Sequence, residues 1–199
     1  ELSALEISRR LGTGQLHFRV GPYVYGLTSN LTQVSAGIRT LYSDFPLAVP
    51  DEFEDFQVAM NRGNLLSRMR GEADFLFDNQ KPFGSVPSSQ AYAFMEWGMN
   101  WCVSLHANEY LKLHAATVAR GDTAIIMPGV PGAGKSTLCA AMGLTGWRIL
   151  SDEHALVRPG TAQVVPLCRP VSLKNESIRL IRSFDSKAVF GPVSEDTHK

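Results

Sequence analysis

Residues 123–137 read TAIIMPGVPGAGKST, and the fold of the second half of the chain follows from this stretch. Ala124, Ile125, Ile126 and Met127 make an apolar run of strand length with β-branched content. A loop of Gly129, Val130, Pro131, Gly132, Ala133 and Gly134 follows and closes on Lys135, Ser136 and Thr137. Leu138-Cys139-Ala140-Ala141-Met142 then favours a helix without a break. The whole is G-x-x-x-x-G-K-[ST] set between a strand and a helix, the context in which the pattern carries meaning.

Each residue type has a chemical reason. Glycines let the backbone wrap a polyphosphate with successive N–H groups pointing inward, where a Cβ would block the approach. A helix starting near Lys135 adds unpaired N–H groups and the positive end of its dipole. Lys135 is expected to reach the β- and γ-phosphates, and Ser136 to offer its hydroxyl to Mg²⁺. The alternative is a Gly-rich turn before an ordinary helix. Average residue frequencies put four such positions together by chance in about one per cent of chains this long. The stretch therefore predicts a P-loop, with ATP and Mg²⁺ as its ligands.

The remaining totals narrow the classes. The 199 residues are 44% hydrophobic and 19% charged, a globular composition with length for a core. Lys plus Arg, 19, equals Asp plus Glu, 19, so no global basic field draws nucleic acid or an anionic membrane. Cys102, Cys139 and Cys168 are too few and too scattered for a disulfide framework or a zinc site. The N-terminal ELSALEISRRLG lacks the layout of a signal peptide, and it lacks a starting Met, so residues are expected to have preceded it. The longest apolar stretch, 91–105, is interrupted by Glu96 and Asn100 and is too short for a bilayer. The expectation is a soluble protein of the reducing cytoplasm with no membrane partner.

Read in order, 15–20 alternate as a strand, Gly21-Pro22 turns, and 23–27 return. Leu31, Val34, Ile38 and Leu41 have helical spacing, with Thr28 and Ser29 as N-caps. Phe56, Val58 and Met60 alternate, Arg62-Gly63-Asn64 turns, and Phe75 with Phe77 marks a further strand. This β-β-α-β-β order predicts a small α+β domain over 1–87. KPFGSVPSS, 81–89, reads as the boundary, and 88–199 as the nucleotide-binding domain. A long helix is expected from Ser88 to about Tyr110, with Phe94, Trp97, Trp101 and Leu105 as one apolar stripe and Met95, Met99 and Cys102 making its other side apolar too, so that it is buried between layers. Strands follow at 113–118, 147–150, 154–157 and 163–167, and Asn175 is expected to cap a last helix carrying Ile178 and Ile181.

A bound nucleotide reacts only with a metal and a positioned base, and Asp152 with Glu153 supplies the candidates. The span between Lys135 and Asp152 holds one short helix and one short strand, which brings the acids back towards the loop. One carboxylate can hold Mg²⁺ while the other accepts a proton from the attacking hydroxyl. A polar turn is the other reading of Ser-Asp.

The segment LHAATVARGDTAIIMPGVPGAGKSTLCAAMGLTGWRILSDEHALV, 113–157, resembles the nucleotide-binding core of the bacterial HPr kinase/phosphorylase family, in particular its HprK-related kinases. The resemblance implies an α/β P-loop core of the HPr kinase type, preceded here by the small α+β domain. It implies that Asp152 accepts the proton, that Glu153 lies near Mg²⁺, and that His114 polarises the base. It further implies an ATP-dependent kinase acting on a hydroxyl of a protein serine or a small molecule, and a homo-oligomer. Asp-Glu stands where the family has Asp-Asp, and the Gly-rich signature that serves phosphate reversal does not follow Val157. Residues 1–87 differ from the family's usual amino-terminal domain. HPr as acceptor and phosphorylase activity are therefore not expected. The family's downstream helices and basic residue fall beyond Lys199, which implies a shortened or incompletely represented chain. Arg169, Lys174 and Asn175 are candidate phosphate contacts. The competing readings are a small-molecule P-loop kinase and an ATP-binding switch without transfer.

Overall fold

A computed structural model of the chain describes residues 3–49 and 52–193; the polar run 194–199 lies outside the described residues. The chain divides into two compact units, Glu1–Leu105 with Val189–Lys199, and His106–Ala188.

The first unit opens with helix α1, Ala4–Thr13, which the sequence reading does not anticipate. Ser3 caps it by accepting the Glu6 N–H, and Ile7 and Leu11 bury on one side at i, i+4 spacing. Strands β1, Leu16–Val20, and β2, Tyr23–Ser29, pair antiparallel as expected. Helix α2, Thr32–Leu41, carries the chain to β3, Phe56–Arg62, which runs parallel to β2. Ser29 does not cap this helix; its hydroxyl accepts the Leu31 N–H one step earlier, and Leu31 occupies the cap with no side-chain bond. A five-residue helix, α3, Leu65–Met69, interrupts the expected turn, with Asn64 accepting the Ser67 N–H. Strands β4, Glu72–Phe77, and β5, Val86–Pro87, complete a sheet in the order β1-β2-β3-β4-β5.

The boundary expected at 87/88 is corrected to 105/106, because helix α4, Ala91–His106, belongs to the first sheet. Tyr25 donates its hydroxyl to the Met99 carbonyl at 3.1 Å, and the Phe75 ring lies edge-on to Phe94. Gly98 is what permits the approach: a Cβ there would stand 2.1 Å from the Phe75 ring. The expected linker is also part of the fold, since Phe83 inserts between Phe94, Trp97 and Trp101. The helix ends earlier than Tyr110; Met95, Met99 and Cys102 are buried as expected, together with Tyr92, while the aromatic stripe is less enclosed. Trp97 and Leu105 are 48% and 52% exposed. Phe94 and Trp101 nonetheless meet the sheet, edge-on to Phe75 and Phe77 of β4.

In the second unit, β6, Leu111–Arg120, is the central strand. On one side it pairs antiparallel with β7, Thr123–Pro128, through the tight turn at Gly121-Asp122. On the other it pairs antiparallel with β8, Arg148–Ser151, and then with β9, His154–Val157. Strands β8 and β9 thus form one broken strand, running parallel to β7 with β6 between them. Strand β10, Val164–Val165, adds to β9 at the edge. Helix α5, Lys135–Leu144, packs Cys139 on Ala116 and Val118 of β6, with Met127, Met142, Trp147 and Ile149 around them. Helix α6, Glu176–Phe184, closes the unit; Asn175 precedes it at φ 51° and makes no side-chain cap bond. No helix among the described residues is long and apolar enough to cross a membrane.

Candidate active site

The loop expected to hold phosphate lies between β7 and α5, from Gly129 to Gly134. Gly132 and Gly134 take φ +83° and +85°, left-handed values that side chains with a Cβ rarely adopt. The backbone turns back on itself there, with the Ala133 N–H donating to the Val130 carbonyl at 3.1 Å. Lys135 folds over the loop and donates Nζ to the carbonyls of Gly129, 2.8 Å away, and Val130, 3.3 Å away. A cation is thereby held over an exposed glycine turn at a helix N-terminus. This arrangement suits a phosphate chain.

The acid pair meets this loop through the sheet register. Ala115 of β6 faces Pro128, the last residue of β7, on one side. On the other side its N–H donates to the Glu153 carbonyl at 3.2 Å. Asp152 and Glu153 are the two residues that break the β8–β9 strand, and they leave it level with the start of the loop. The Ser151 hydroxyl holds the break by accepting the N–H groups of Glu153 and His154. His114, one residue before Ala115 and opposite His154, shares a face of β6 with Ala116 and Val118, the α5 face. Its Nδ1 lies 3.2 Å from Glu153 Oε1. Three of the expected residues, His114, Asp152 and Glu153, are therefore brought together.

The two acids occupy different environments. Asp152 is only 6% exposed, and its Oδ2 accepts the Ser172 N–H at 2.7 Å. Burial raises its carboxyl above the usual aspartate range; the Ser172 bond and the charge of Arg169 work against that rise. The buried thiol of Cys139 and the thiol of Cys168, an exposed residue, both feel its charge. Burial first, then Asp152, pushes the Cys139 thiol up to about 12. Iodoacetamide at about pH 8 should leave Cys139 unmodified in the folded chain, as peptide mass mapping would show. Glu153 and His114 face outward instead, with side chains 36% and 53% exposed. The sequence contains no signal for the Ser172 contact, which comes from a chain segment that only the fold brings near. Arg169 is buried beside Asp152, whereas Lys174 and Asn175 lie at the start of α6.

His154 was not among the expected site residues. Burial, followed by the positive charges of His114, Arg169 and Lys112, lowers its pKa from 6.5 to about 4. The folded state thus resists protonating this ring. Its contribution to stability is complete above pH 6.5 and is lost as pH falls towards 4. The loss amounts to about 3 kcal/mol. Asp152, with its raised pKa, acts in the opposite sense and regains part of that loss on acidification. Melting curves at intervals between neutral pH and about pH 4 should show a smaller decline for His154→Gln than for the native chain. Equal declines would place the titration elsewhere.

Mg²⁺ bound with a polyphosphate takes one or two protein ligands and keeps waters. Ser136 at the start of α5 and the carboxylates at 152 and 153 are a donor set of that kind. No group of three or more His, Cys, Asp or Glu able to hold a metal by itself occurs among the described residues. Comparison with protein-family models, with curated proteins and with solved structures returned no match for this chain.

Proposed function

We propose that the chain is an ATP-dependent kinase that transfers the γ-phosphoryl group to a hydroxyl of a protein serine or a small molecule. One observation carries the reading. The acid pair leaves its strand at the level where β7 enters the glycine loop, with one strand between them and His114 on that strand.

In this reading the loop amides of residues 129–134 and the Lys135 ammonium bind the phosphates and neutralise charge on the transferred group. Ser136 and a carboxylate of the pair would hold Mg²⁺, which when bound offsets the phosphate charge. The remaining carboxylate takes the hydroxyl proton. The resemblance to HPr kinases assigns that proton to Asp152 and the metal to Glu153, with His114 behind the base.

The test is a single-turnover incubation of the chain with Mg²⁺, γ-labelled ATP and cell extract. Label on a protein or a metabolite is the expected result and tells the two acceptor classes apart. ATP that is bound but not consumed would reduce the chain to a nucleotide-dependent switch. Failure to bind ATP would overturn the reading.

A further inference from the structure

We infer that Glu153, held by His114, is the group that accepts the acceptor's proton, and that Asp152 is an enclosed positioning residue. The inference rests on the kinase reading and moves to Glu153 the proton-accepting role that the resemblance gives to Asp152.

A proton acceptor must come within hydrogen-bond reach of the attacking hydroxyl. Asp152 is enclosed on all but 6% of its surface, and one of its oxygens is already engaged by the Ser172 N–H. Reaching it would require the segment around Ser172 to move away and leave that N–H without its carboxylate. Glu153 requires no such movement, since its side chain is 36% exposed. Its Oε1 lies 3.2 Å from His114 Nδ1, so the ring stands against one carboxylate oxygen and leaves Oε2 for the substrate. The alignment comes from backbone register: Ala115 pairs with Glu153, and His114 faces His154. The imidazole therefore stands beside the carboxylate through the sheet register itself, which lowers the cost of orienting it. A base with a second group fixing its direction is a recurring catalytic arrangement.

The step balances as follows. The acceptor oxygen forms its bond to the γ-phosphorus as its proton passes to Glu153 Oε2. The bond from the γ-phosphorus to the bridging oxygen breaks, and its electron pair leaves with ADP. The Glu153 carboxyl then returns the proton to solvent. Water in place of the acceptor gives inorganic phosphate by the same transfers.

The experiment compares Glu153→Gln, Asp152→Asn, His114→Ala and His114→Asn in the full chain. Each is measured for Mg·ATP affinity and for transfer of the γ-label to water or to the labelled extract component. Glu153→Gln should keep the affinity within about twofold and lose transfer by roughly 10²–10⁴-fold. Asp152→Asn should cost less transfer than Glu153→Gln, because an amide oxygen still accepts the Ser172 N–H. His114→Asn, whose amide nitrogen can stand where Nδ1 stands, should recover part of what His114→Ala loses. Weakened Mg·ATP binding in Glu153→Gln would make Glu153 a metal ligand and overturn the inference. A larger transfer loss in Asp152→Asn at unchanged affinity would return the base role to Asp152. If the native chain neither binds Mg·ATP nor transfers label, the kinase reading fails and the inference with it.

Discussion

Lys135→Ala should weaken Mg·ATP binding by roughly 10- to 100-fold while leaving thermal stability nearly unchanged. Both halves of the expectation follow from where Nζ lies. It donates to the carbonyls of Gly129 and Val130, on an exposed loop where water can replace it. Each such bond contributes about 1 kcal/mol or less to folding. Towards a phosphate the same ammonium makes charge-assisted bonds, worth about 1.5–3 kcal/mol. Lys135→Arg should not restore the affinity, because a planar fork does not fit the space of a compact ammonium folded over a tight turn. Titration calorimetry and a melting curve on the same samples give both readouts. Unchanged affinity would remove the loop from the phosphate site.

The second large effect concerns stability. Phe75→Ala should destabilise the first unit by about 3–5 kcal/mol. The ring is fully buried in β4, contacts Phe83 and Phe94, and fills the space that Gly98 leaves open on α4. Domains as a class are stable by only about 5–15 kcal/mol, so the loss should show plainly in urea unfolding. Gly98→Ala makes the opposite error, because its Cβ would collide with a ring that has nowhere to go. The overpacking costs about 1–3 kcal/mol, offset in part by the helix propensity of alanine. The double variant should be less destabilised than the sum of the single changes, since the shortened residue 75 makes room for the new methyl. Strict additivity would mean that α4 does not bear on this sheet, and would return the boundary to 87/88.

Much of this architecture is written in neighbouring residues. The alternation of Leu16, Phe18 and Val20 becomes β1 with those three side chains buried, because a strand sends alternate residues to one face. The glycine run of 129–134 adopts the backbone angles its composition allows, and helix α5 starts at Lys135. Elsewhere the local signal was ambiguous. Lys81-Pro82-Phe83-Gly84 has the composition of a linker, yet Phe83 lies within an aromatic cluster. Nothing beside Phe83 in the chain reveals the rings of α4 that receive it. Ile7 and Leu11 make too short an apolar face to announce α1 without β1 and β2 beneath it.

The candidate site divides along the same line. Local chemistry suffices to propose a phosphate-binding loop, with a lysine and a serine at its helical end and a pair of acids one short helix and one strand later. That is because glycine geometry and residue spacing act over a few bonds. Which of the two acids meets the solvent was decided at tertiary level. Residues 169–172 cover Asp152, and the register of β6 sets His114 against Glu153. Burial and cross-strand pairing depend on segments far apart in the chain, and adjacent carboxylates that look equivalent in sequence acquire different environments only when those segments close over one of them.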